Sequence, residues 1–112
     1  MLAARFVHER PNAPRVAGLA LLGTTHPRDF SLAALTIPVT KIYGTHDGVA
    51  PIAAVQANRD KLPPHTRWVA IEGGNHVQFG FYRHQLFDGA ATITREEQMR
   101  QVVRALLAML TH

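Results

Sequence analysis

The chain contains no cysteine. That excludes a disulfide framework and a thiolate-ligated zinc site, and it fits a reducing compartment. Also missing is any stretch approaching the roughly 20 apolar residues that a membrane span needs. The opening Met1-Leu-Ala-Ala-Arg5-Phe-Val meets charge too soon to be a signal peptide. No targeting signal stands in these residues, so a cytoplasmic location is the expectation. Charged residues are sparse at 18%, against 46% hydrophobic, the balance of a folded globular chain and not of a disordered one. A length of 112 residues allows one domain with a small core.

The charge that is present is mostly positive, with a formal net of +4 and a pI near 10.4. Ten of the twelve basic residues are arginines, spread from Arg5 to Arg104 without a run or stripe. No nucleic-acid motif accompanies them, so solvated helix faces account for them and no nucleic-acid partner is expected.

Along the chain, Leu2, Ala3, Phe6 and Val7 recur at helical spacing before Pro11. Val16 to Leu22 is a continuous apolar run, the pattern of a strand covered on both faces. A polar stretch with Pro27 follows, with one helical turn expected at Ser31 to Leu35. Ile37 to Tyr43 is a second strand, with Pro38 tolerated near its start. Pro51 opens a helix to about Lys61, and Pro63-Pro64 stops it. Thr66 to Ile71 is a third strand, followed by Gly73-Gly74 and a long loop to about Ile93. Thr94-x-x-Glu97 is a capping box for a final helix, with Met99, Val102, Val103, Leu106, Leu107 and Leu110 as its apolar stripe. Strands alternating with helices predict an α/β fold of about three parallel strands with flanking helices.

In such sheets, chemistry sits beyond the carboxyl ends of the strands. The second strand runs into Tyr43-Gly-Thr-His-Asp47-Gly-Val-Ala-Pro51, and the third into Glu72-Gly-Gly-Asn-His76-Val-Gln-Phe-Gly80. These loops offer Asp47 and His76. A carboxylate and an imidazole on adjacent strand ends can meet, the acid fixing the tautomer and stabilising the imidazolium. The bland readings are an ordinary Asp-Gly turn at Asp47-Gly48 and a structural role for His76.

The order acid, then histidine one strand later, then an amphipathic helix, resembles the final part of the α/β-hydrolase fold. Tyr43-Gly-Thr-x-Asp47-Gly, Gly73-Gly-Asn-His76-x-Gln-Phe-Gly80 and the tail with Asp88-Gly89, Ala91 and Arg95-Glu96-Glu97 are similar to a bacterial subgroup of small esterase-like members. The resemblance implies that residues 1–112 are the C-terminal portion of a hydrolase domain acting on a small ester-like substrate through a Ser-His-Asp triad. It implies no cofactor and no metal, and the remaining histidines lack paired metal-ligand spacing. It assigns Asp47 and His76 as catalytic, with residues 1 to 10 as the helix after the nucleophile elbow. The family's G-x-S-x-G is not in the chain, whose one serine is Ser31. The expectation is therefore that the elbow lies upstream of Met1 and that the chain alone is inactive. Phe79, Phe81 and Tyr82 are candidates for an acyl pocket or for loop packing. The strand at Val16 to Leu22 would lie at an exposed sheet edge and promote self-association. From a different class, a non-catalytic α/β module docking to a partner protein is the alternative.

Overall fold

The computed structural model describes residues 8–9, 17–25, 27–79 and 88–111. Within them, three strands form one sheet in the order β1-β2-β3. They are β1 (Leu19–Leu22), β2 (Val39–Gly44) and β3 (Arg67–Ile71). Both pairings are parallel, with Leu21 opposite Lys41 and Lys41 opposite Trp68. Two α-helices accompany them: α1 (Ile52–Ala57), and α2 (Arg95–Leu110). Short 3-10 turns occupy Arg59–Lys61 and Val77–Phe79. The helix expected over residues 2–9 lies outside the described residues, apart from His8 and Glu9, which are helical.

The continuous apolar patterning of β1 has its cause in two cores, one on each face of the sheet. On one face Leu19, Leu21 and Val39 pack with Leu32, Leu35 and Leu62, flanked by Phe30, Ile37 and Trp68. On the other, Ile42 and Ile71 pack under Val102 and Ala105 of α2, with Leu22 and Val69 beside them. Full burial of such a Leu, Ile or Val side chain stabilises the fold by about 1.5–3 kcal/mol.

Several boundaries differ from expectation for local reasons. Pro38 stands before β2, not within it, and its carbonyl accepts the Leu19 N–H at 2.9 Å. Pro51 caps α1 from an extended conformation, and the helix ends at Ala57 before the tighter turn over Arg59–Lys61. The segment from Ser31 to Leu35 is a turn, not a helix. Ser31 Oγ accepts the Ala33 N–H at 3.1 Å, the local bonding by which serine competes with helix formation.

The final helix starts where the capping box put it, with Thr94 Oγ1 accepting the Glu97 N–H at 3.1 Å. The Glu97 carboxylate turns to Arg100 and to Gln101. The buried face of α2 is offset from the predicted stripe: Gln98, Val102 and Ala105 are buried, while Val103, Leu107 and Leu110 are 50%, 56% and 72% exposed. The small side chain of Ala105 lets the helix approach the sheet, and the bonding of Gln98 fixes its rotation.

Candidate active site

Tight glycines bring the carboxyl ends of β2 and β3 together. Gly44 ends β2 directly against the Gly74 carbonyl, where a Cβ would collide with backbone. Gly73 sits at φ 79°, a conformation open to glycine. The loops after the two strands are then laced: the His46 N–H donates to Gly74 O at 2.8 Å, and the Gly73 N–H to Thr45 Oγ1 at 2.8 Å.

Asp47 and His76 stand on these two loops and meet. His76 Nδ1 lies 3.1 Å from Asp47 Oδ2, with the Asp47 side chain fully buried and that of His76 22% exposed. The other Asp47 oxygen accepts the N–H groups of Val49 at 2.9 Å and Ala50 at 2.7 Å. Bonds two and three residues ahead are the geometry of an Asx turn, which here also leads the chain into α1. The readings of Asp47 as a turn residue and as a partner for His76 are thus both true, one oxygen serving each. Burial raises the Asp47 pKa, opposed by the bonds from Ala50, His76 and Val49. Gly23, at φ 58° at the end of β1, abuts both the Phe79 ring and Asp47 Oδ2, so all three strand ends converge here.

The turn after β3 is held from two sides. Asn75 Oδ1 accepts the Gln78 N–H at 3.2 Å, and its amide donates to Gly89 O at 2.9 Å. Asp88 lies across the mouth of both loops. Its Oδ1 accepts the N–H groups of Gly48 at 3.0 Å and His76 at 3.1 Å, and its Oδ2 that of Val77 at 3.1 Å. Burial acts to raise the Asp88 pKa, but the N–H donors of His76, Gly48, Val77 and Gly89 outweigh it and lower the value.

Chemically, the arrangement is an imidazole oriented by a buried carboxylate, with Nε2 not engaged by Asp47. Phe79 packs beside the second core, while Phe81 and Tyr82 lie outside the described residues. Ser31 is exposed, on a segment tied to Lys61 through the Leu32 N–H. A cavity of about 280 Å³ lined by Pro38, Val39, Thr40 and Met109 lies at the amino-terminal ends of the strands. That is the wrong end for chemistry in a parallel sheet. Among the described residues no helix is long and apolar enough to cross a membrane.

Asp47 and His76 carry a signal in the sequence that Asp88 lacks, because the partners of Asp88 are backbone N–H groups. Gln98 had a usable signal: a polar residue four positions before Val102 on a helix face that is otherwise apolar.

The Alpha/beta hydrolase family, by its family model, matches residues 1–100. The chain is also similar to a pimeloyl-[acyl-carrier protein] methyl ester esterase of Aliivibrio salmonicida (strain LFI1238), at 39% identity over 70 residues. That match covers 62% of this chain and 26% of the relative, so the chain spans only a part of the length of its curated relative. No solved structure matches the chain. With the three parallel strands and their helical cover, the match over residues 1–100 makes this chain a member of the α/β-hydrolase family.

Proposed function

We propose that this chain supplies the acid and the base of a Ser-His-Asp triad that hydrolyses a small-molecule ester or related acyl bond. The observation that carries the reading is the 3.1 Å approach of His76 Nδ1 to a fully buried Asp47 carboxylate at the carboxyl ends of parallel strands. The similarity to an esterase supports the class of bond.

In the reaction, His76 Nε2 removes the proton of a serine hydroxyl as the oxygen attacks the acyl carbon. Asp47 accepts the Nδ1–H bond and stabilises the imidazolium. His76 then gives its proton to the departing alcohol, leaving an acyl-serine. Water, deprotonated by the same nitrogen, releases the acid and restores the serine. The one serine of these 112 residues, Ser31, is not in a Gly-x-Ser-x-Gly, so this reading requires a nucleophile supplied by other sequence. The chain by itself runs no such cycle, and the outer edge of β1 makes it self-associate.

The test uses a serine-directed fluorophosphonate probe. The 112-residue chain is expected to remain unlabelled, and the same chain extended upstream to include the elbow to be labelled. His76→Ala in the extended protein should slow labelling and ester turnover by about 10²–10⁴-fold. A stop codon upstream without the motif, or an extended His76→Ala protein at full rate, would overturn the proposal.

A further inference from the structure

Three consecutive residues outside the Asp47–His76 pair bond to both loops that carry it. Asp88 takes the N–H groups of Gly48, His76 and Val77. The Gly89 carbonyl takes the side-chain amide of Asn75 at 2.9 Å, and the Ala90 carbonyl lies 2.9 Å from His46 Nδ1. At Gly89 a Cβ would fall on the His46 carbonyl oxygen, so the close approach requires glycine. One oxygen of Asp88 is shared between the residue after Asp47 and the residue that bears the imidazole.

We propose that Asp88 is a positioning residue, a carboxylate bridge that sets the spacing at which Asp47 and His76 meet. The inference rests on the reading of those two residues as a catalytic pair. Direct lacing between the loops runs through Thr45, His46, Gly73 and Gly74, at the bases of the loops. Farther out, Asp88 joins Gly48 to His76 itself. A carboxylate suits this task better than a neutral acceptor, because the N–H groups of Gly48, His76 and Val77 converge on it and each bond is charge-assisted. Asp88 reaches His76 through the peptide N–H and not through the ring, so it acts on the position of the imidazole and leaves the ring to Asp47.

The experiment is nuclear magnetic resonance on the 112-residue chain, with two readouts. The first is the tautomer of His76 from its ring nitrogen shifts, since a bond to Asp47 selects Nδ1–H. The second is amide hydrogen exchange at Gly48, His76 and Val77. In a folded Asp88→Ala chain, protection at all three amides should fall at least tenfold and the Nδ1–H preference should be lost. Should that variant fail to fold, Asp88→Asn decides. Its amide oxygen can keep Gly48 and His76, while its NH₂ group faces the Val77 N–H. Protection should then fall selectively at Val77, with the tautomer kept. Either retained protection or a retained tautomer in folded Asp88→Ala overturns the bridge, as does unchanged protection at Val77 in Asp88→Asn. Failure of the underlying pair would show separately, as the absence of Nδ1–H preference in the unsubstituted chain, and would overturn both.

Discussion

Gln98, the fourth residue of α2, grips the Asn75 peptide from both sides: its Nε2 donates to Asn75 O at 2.8 Å and its Oε1 accepts the Asn75 N–H at 3.2 Å. Gln98 is fully buried, and Gly74 is pressed so close to it that a Cβ there would meet its amide. The long helix is thereby coupled to the residue next to His76. Replacing Gln98 by Leu keeps the apolar volume but strands a buried donor and a buried acceptor, each costing about 1–3 kcal/mol. The expected outcome is a Tm lower by roughly 10 °C or more, since 1 kcal/mol is about 4–8 °C in a domain of this size. Gln98→Glu, which buries a charge and turns an oxygen toward the Asn75 carbonyl, should be destabilised at least as much at pH 7. Thermal unfolding followed by circular dichroism checks both, and a Leu variant as stable as the parent would show that the grip does not matter.

The elements legible in the sequence were those whose signal is local. The buried strands announced themselves through Leu19 to Leu22 and Ile42, and α2 through Thr94. The convergence of Asp47 and His76 could be anticipated because parallel strands send their carboxyl ends to one side. The segment at Ser31 is a turn where the apolar spacing predicts helix, because a serine hydroxyl can replace a helical bond at little cost. The buried face of α2 departs from the periodicity for a different reason. Its rotation is decided by Gln98 bonding a residue 23 positions earlier, which periodicity does not register. Asp88 was silent for the same reason: its partners are backbone N–H groups, which carry no sequence signature.

Asp47→Asn separates charge from geometry. The Asp47 pKa is raised, chiefly by burial, so the folded state holds its proton more tightly than the unfolded chain. The sign follows: the contribution to stability is full below the unfolded value and is lost as pH rises through the folded one. At pH 7 the ionised side chain is therefore a net cost in the fold. Asn keeps an oxygen for Val49 and Ala50 and removes the buried charge. A Tm at pH 7 equal to or above that of the parent is expected. The Asn NH₂ would face His76 Nδ1 and favour the Nε2–H tautomer, which is the wrong one for a base. A marked loss of stability at pH 7 would contradict the burial argument.

Lys41 presents the opposite charge in the middle of β2, 1% exposed, with Leu21 and Trp68 at its registers. Burial lowers its pKa from 10.5 to about 8. The unfolded chain then binds more protons than the folded one between those values, so stability should rise with pH from about 8 to 10.5. The gain is on the order of 3 kcal/mol for the whole window, from 1.36 kcal/mol per unit. Lys41→Met should flatten this rise. Urea denaturation at several pH values measures it, and a parent chain whose stability is level or falling from pH 8 to 10 would refute the assignment.

Association in solution is expected through the outer edge of β1. Among the described residues β2 pairs with one side of β1 and no strand pairs with the other. The Leu19 N–H donates to Pro38 and the Gly23 N–H to Ile42, so the odd-numbered amides point toward β2. By the alternation of a strand, the N–H groups of Ala20 and Leu22 point outward, where they form a template for another edge. The half-buried side chains of Ala20 and Leu22 bring apolar surface to the same margin. The expected outcome is concentration-dependent association, seen by size-exclusion chromatography with light scattering. Ala20→Pro is the informative substitution. It removes an outward donor, leaves the bonds to β2 intact, and sets a φ that an edge strand accepts. The variant should shift toward monomer with its Tm changed by no more than a few degrees. If Ala20→Pro associates as the parent does, the contact lies elsewhere, and the exposed Val103, Leu107 and Leu110 of α2 become the surface to substitute next.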